Sequence, residues 1–85
     1  MFKNKTLLIT GGTGSFGNAV IRRFIDTDIG EIRVFSRDEK KQDDMRKSYG
    51  NPKLKFMIGD VREISSVSSA VYGVDYIFHA AALKQ

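Results

Sequence analysis

Thr6-Leu7-Leu8-Ile9-Thr10 runs straight into Gly11-Gly12-Thr13-Gly14-Ser15-Phe16-Gly17, and the reading of this stretch decides the fold. A continuous apolar and β-branched run that ends at a glycine cluster predicts a strand buried on both faces. From Ser15 to about Asp26 the period changes. Phe16, Val20 and Phe24 recur at i, i+4 and i+8 with Ala19 and Ile25 beside them, while Asn18, Arg22 and Asp26 face away. That spacing predicts an amphipathic helix whose apolar side covers a sheet. Between strand and helix, Gly11, Gly14 and Gly17 form G-x-x-G-x-x-G, a variant of the G-x-G-x-x-G pattern. Gly11 permits the tight turn, Gly14 lets the backbone approach a pyrophosphate, and Gly17 avoids holding the helix off the sheet. The free N–H groups of the first helical turn favour phosphate charge. Thr13, Ser15 and Phe16 are rim contacts in this reading. A phosphate loop of the G-x-x-x-x-G-K-[ST] kind is excluded, because no Lys lies between Gly11 and Asn18.

The pattern repeats outward. Ile32-Arg33-Val34-Phe35 is a second strand, about 20 residues after the glycine loop, as the dinucleotide pattern requires. Ser36 or Asp38 can cap the helix expected from about Glu39 to Tyr49, and Ser36 with Glu39 has capping-box spacing. Met45 and Tyr49 are that helix's only strong apolar pair, so it is expected to lie loosely at the edge; Gly50-Asn51-Pro52 ends it. Leu54 to Ile58 is a third strand, Ile64 to Val71 a helix capped by Gly73, and Tyr76 to Ala80 a fourth strand. Strands separated by helical segments of about 10 residues predict βαβ units and a parallel sheet. The fold class expected is α/β: the N-terminal part of a doubly wound, NAD(P)-binding Rossmann sheet with strand order 3-2-1-4. Ala80-Ala81-Ala82-Leu83-Lys84-Gln85 follows the fourth strand with no helix to cover it, so residues 1–85 are expected to be an incomplete dinucleotide-binding domain, the first piece of a longer chain.

The position after the second strand selects the cofactor. A carboxylate there accepts bonds from the adenosine ribose of NAD and repels a 2′-phosphate. Here Ser36 and Arg37 come first and Asp38 only afterwards. Arg37 offers a planar fork, Ser36 a hydroxyl, and Lys40 or Lys41 positive potential, which favours NADP over NAD. Asp60-Val61 after the third strand can meet adenine, Asp60 at its exocyclic amine and Val61 against the ring. Asp60 can equally cap the following helix. Ala80, Ala81 and Ala82 are small enough to let a nicotinamide ribose and pyrophosphate pass, or simply pack tightly. His79, the only histidine, reads as a hydrogen-bonded structural residue rather than a base.

Composition narrows the rest. The 85 residues allow one compact unit, and a 41% hydrophobic fraction with six Phe and three Tyr argues against disorder. The absence of Cys excludes a disulfide framework and thiol chemistry, and no His, Cys or carboxylate cluster has metal-ligand spacing. The charge of +4 is dispersed, and its densest stretch, Arg37 to Lys47, also carries Asp38, Glu39, Asp43 and Asp44. That is a mixed solvated face rather than a nucleic-acid surface. No apolar run approaches a membrane span and no signal core follows Lys3 and Lys5, so a cytoplasmic protein is expected.

With those residues in hand, the chain resembles the nucleotide-sugar branch of the extended short-chain dehydrogenase/reductases. It is most similar to the 5-inverting UDP-N-acetylglucosamine 4,6-dehydratases of bacterial capsule, O-antigen and flagellin-glycan pathways. Thr10 to Gly17, Phe35 to Glu39, Gly59-Asp60-Val61-Arg62 and His79 to Gln85 carry the likeness, and Ser36 to Arg46 is its most specific part. The resemblance implies a tightly held, recycled NADP, a UDP-sugar substrate and a homo-oligomer. It implies oxidation at sugar carbon 4 by hydride transfer, loss of water between carbons 5 and 6, and return of the hydride to carbon 6 with inversion at carbon 5. It places Lys84 near the sugar or cofactor, and it places the catalytic tyrosine and lysine beyond Gln85. Tyr72 and Tyr76 do not replace them, since neither has Lys four residues on. No catalytic residue is therefore expected within this segment. A UDP-sugar 4-epimerase shares the same first oxidation, and a non-catalytic NADP-binding module is the alternative of a different class.

Overall fold

The computed structural model describes residues 1–79. Strands β1 (Thr6–Thr10), β2 (Glu31–Ser36), β3 (Leu54–Ile58) and β4 (Tyr76–His79) alternate with helices α1 (Ser15–Phe24), α2 (Glu39–Tyr49) and α3 (Ile64–Val71). The sheet is parallel in the order β3-β2-β1-β4, as the sequence predicts. Ile9 sits opposite Val34 on one side and Phe78 on the other.

Alternation along the strands separates two cores. Leu7 and Ile9 of β1, Ile32 and Val34 of β2, and Leu54 of β3 pack with Val20 and Ile21 of α1 and Met45 of α2. Leu8 and Phe35 point to the other face and meet Ala70 of α3, with Met57, Val67, Val71 and Val74 around them. Thus α1 and α2 lie on one face and α3 on the other, the consequence of right-handed crossovers that run first one way from β1 and then back past it. The reversal places a switch point between β1 and β4, and ligands of open α/β sheets bind outside the carboxyl ends of strands at such a point.

Several local expectations change. The buried face of α1 is Gly17, Val20 and Ile21, whereas Phe16 and Ala19 are exposed. The helix is rotated from the expected stripe because Gly17, lacking a side chain, turns inward against the loop. Asn18, expected to face solvent, is half-buried. Helix α1 stops at Phe24, where the Thr27 hydroxyl and the Lys53 ammonium take up its terminal carbonyls: Thr27 donates to Phe24 O at 2.5 Å, and Lys53 to Ile25 O at 3.1 Å. The α2 cap is Asp38, whose carboxylate accepts from the Lys41 N–H at 3.0 Å. Ser36 stays in β2, too far back to complete a capping box with Glu39. Nor does α2 lie loosely: Gln42 is buried beside Met45. Helix α3 ends at Val71 with Tyr72, in extended backbone, at the C-cap position rather than Gly73, which follows one residue later with φ +74°. Arg33 spans the gap beneath α3, donating to Ala70 O at 2.8 Å and Tyr72 O at 2.6 Å, and so satisfies carbonyls the helix end leaves free.

Candidate functional site

Gly11 leaves β1 with φ +67°, and its N–H donates to Phe35 O of β2 at 2.8 Å. The chain then turns so tightly that a Cβ on Gly17 would lie 2.5 Å from the Gly12 Cα. Gly17 is therefore required by the loop itself rather than by the approach of helix to sheet, which is a correction to the expected reason. Gly12, overlooked in the sequence, is pressed against β2, with 2.8 Å between its virtual Cβ and Val34 Cγ1. Gly14 is different. Its virtual Cβ meets nothing nearer than Gly11 O at 3.8 Å, so the protein itself leaves this position open.

Gly14 is also the N-cap of α1 and supplies no side-chain cap. The first-turn N–H groups lack intrahelical partners by geometry, and their dipoles point at the loop. The loop carbonyls turn the other way. Asn18 Nδ2 donates to Gly14 O at 3.0 Å, and the Tyr49 hydroxyl of α2 donates to Asn18 Oδ1 at 2.7 Å.

Beside the loop lies a cleft of about 870 Å³. It is lined by Gly11 and Thr13 from the loop, Ser36, Arg37, Asp38 and Lys41 from the end of β2 and start of α2, and Asp60 and Val61 after β3. Those eight sequence-predicted residues are thus brought together. A second cavity, about 610 Å³, shares Thr13 and Lys41 and adds Gly14, Ser15, Asn18 and Arg22. Phe16 lines neither; it is 44% exposed and sits edge-on to Phe78, ring centroids 6.5 Å apart. Gly17 is buried behind the loop. Ala80, Ala81, Ala82 and Lys84 lie outside the described residues.

The cleft also takes in Phe35, Glu39, Gly59 and Arg62, which stand in the motifs that carry the family likeness but were not assigned to the cofactor from the sequence. Gly59 ends β3 as Gly11 ends β1, and that parallel was the available signal. A Cβ at Gly59 would meet the Phe35 ring at 2.7 Å. Arg62 closes the Gly59 to Arg62 motif, and that place two residues after Asp60 was its signal.

Asp60 does not cap α3; that residue is Glu63. Its Oδ1 accepts the Arg62 N–H at 2.9 Å, and its Oδ2 accepts Arg62 Nη2 at 2.8 Å. Arg37 Nη1 stands farther off, 3.7 Å from Oδ2, on a side chain 70% exposed. The side-chain bonds from Arg62 chiefly, then its backbone N–H, lower the Asp60 carboxyl from 3.8 to about 2. A carboxylate depressed in the folded state contributes stability that is whole above its unfolded value and is lost as pH falls through the folded one. For Asp60 that window runs from about pH 3.8 down to about 2. Carboxyl-carbon NMR of Asp60 is expected to titrate near 2, and Arg62→Met to move the midpoint up toward the ordinary value. An unmoved midpoint would remove Arg62 as the cause.

His79 is paired across the β1–β4 ladder with the Thr10 hydroxyl through Nδ1, in keeping with a structural histidine. Among the described residues, no three His, Cys, Asp or Glu group to hold a metal, and no helix is long and apolar enough to cross a membrane.

A parallel sheet wound in both directions, with a glycine loop at its switch point, defines a Rossmann-type α/β protein. Solved structures bear this out: Pen from Bacillus thuringiensis superposes with a TM-score of 0.92 and 37% identity over 100% of this chain and 27% of its own. Residues 7–85 match the family described as polysaccharide biosynthesis protein, and the chain belongs to that family. A protein of Rickettsia canadensis named UDP-glucose 4-epimerase is 70% identical over all of this chain, and its namesake in Rickettsia prowazekii 66%. The chain spans 26% of the length of these curated relatives. Bordetella bronchiseptica WbmF, solved with NAD+ and UDP, shares the fold at a TM-score of 0.70 and 18% identity, over 92% of this chain and 23% of its own.

Proposed function

We propose that this segment holds NADP for an extended short-chain dehydrogenase/reductase that oxidises carbon 4 of a UDP-sugar. The observation that carries the reading is the open space at Gly14, where the loop that Gly12 and Gly17 pack tightly leaves room beside unpartnered helix N–H groups. A diphosphate fits there, because the backbone can approach it and the loop carbonyls are turned toward Asn18. Gly11, Thr13, Gly14 and Ser15 would hold it, with Phe16 at the rim and Gly17 keeping the loop closed.

The cleft then takes the adenosine end. Asp60 accepts from the adenine amine and Val61, 40% exposed, covers the ring. Asp38 lines the cleft but gives one carboxylate oxygen to the Lys41 N–H at the α2 N-terminus, where the helix dipole offsets part of the charge that would repel a 2′-phosphate. Arg37 and Lys41 supply the positive charge, and Ser36 a hydroxyl. When bound, the nicotinamide supplies a hydride acceptor; Ala80, Ala81, Ala82 and Lys84 are assigned to its passage and to the sugar.

The fate of the oxidised sugar divides two readings. Similarity of Ser36 to Arg46 and the other motifs to the 4,6-dehydratases supports loss of water from UDP-N-acetylglucosamine, in a cytoplasmic homo-oligomer making surface polysaccharide precursors. The names of the Rickettsia relatives support 4-epimerisation. The complete protein, incubated with UDP-N-acetylglucosamine and separately with UDP-glucose, is expected to give a 4-keto-6-deoxy sugar from the first, read by proton NMR. A carbon-4 epimer from either substrate would establish the second reading. Failure to bind NADP or NAD would end both.

A further inference from the structure

Gln42 lies on α2, a helix otherwise dominated by charged side chains, yet it is 1% exposed. Its amide nitrogen donates to Ser36 Oγ at 2.9 Å and to Met57 O at 2.9 Å, with Ser36 O also within 3.4 Å. The Asp38 N–H donates to the same Ser36 Oγ at 3.3 Å. A serine hydroxyl has one proton to give and two acceptor directions. Gln42 and Asp38 fill both acceptor directions, so the Ser36 proton is turned away from them. Ser36 lines the cleft immediately before Arg37.

We infer that Gln42 is a positioning residue for cofactor choice: it makes Ser36 an obligate donor into the cleft, suited to an anionic acceptor. The inference rests on the dinucleotide reading and deepens it. A phosphoryl oxygen accepts that proton in a charge-assisted bond, about twice as strong as the neutral bond a ribose hydroxyl makes. A hydroxyl that could rotate would serve either ribose equally. Burial of Gln42 removes water as a competing donor, and its bond to Met57 O ties the amide to β3, so the orientation is built into the core.

The test is a titration of the complete protein with NADP and with NAD, for wild type, Gln42→Met, Gln42→Glu, Ser36→Ala and the Gln42→Met/Ser36→Ala pair. Because both ligands are measured on one sample, damage to the fold cancels in their ratio. The NADP-to-NAD affinity ratio is expected to fall about fivefold to tenfold in Gln42→Met and in Ser36→Ala, with no further fall in the pair, since each removes one and the same donor. Gln42→Glu is expected to fall at least as far, because its carboxylate accepts the Ser36 proton and draws it from the cleft. An unchanged ratio in Ser36→Ala overturns the assignment whatever the Gln42 variants do. So do effects that add in the pair. A wild-type protein with no preference for NADP removes the NADP reading itself, and this assignment with it.

Discussion

Gly17→Ala is expected to destabilise the fold by about 3 kcal/mol or more, the range for forcing a buried atom into occupied backbone space. The new methyl would fall 2.5 Å from the Gly12 Cα and closer still to its carbonyl oxygen. Relief would require moving the turn off β2, where Gly12 itself is held against Val34. Gly14→Ala makes the informative contrast. With its nearest neighbour at 3.8 Å, the added methyl costs the folded protein little. It does occupy the space assigned to the diphosphate, so NADP affinity is expected to drop about tenfold or more at unchanged stability. Chemical denaturation and ligand titration of both variants of the complete protein provide the check. A stable Gly17→Ala would refute the packing, and a Gly14→Ala that binds as wild type would refute the placing of the diphosphate.

Arg37→Ala is expected to weaken NADP binding about tenfold to a hundredfold and NAD binding much less, since a charge-assisted bond is lost only where a phosphate is present. The geometry makes Arg37 available. Its guanidinium is mostly exposed and stands 3.7 Å from an Asp60 already bonded twice over by Arg62, so engaging a phosphate sacrifices little. Equal losses of NADP and NAD would show that Arg37 does not read the 2′ position.

The strands were legible because parallel sheets bury both faces, and Leu7-Leu8-Ile9 or Val34-Phe35 has no other place to go. The glycine loop was legible because its neighbours on either side changed period. Hidden positions were those where a polar residue is buried by its partners. Gln42 and Asn18 carry no mark in the chain, since the carbonyls and hydroxyls that satisfy them come from residues 4 to 31 positions away. Arg33 reads as a solvated charge in a strand until α3 is laid across it.

The sequence by itself determined the alternation of strand and helix, the strand order and the gathering of Ser36, Arg37, Asp60 and Val61 at one end of the sheet. Local period suffices for the alternation, while the strand order and the gathering follow only once the usual doubly wound architecture is adopted. Only the tertiary structure decided which glycine is packed and which is open, that Asp38 rather than Ser36 caps α2, and that Asp60 is claimed by Arg62. Each of these turns on distances of a few ångströms, most of them between residues two to five positions apart in tight turns, and residue periodicity carries no information on that scale.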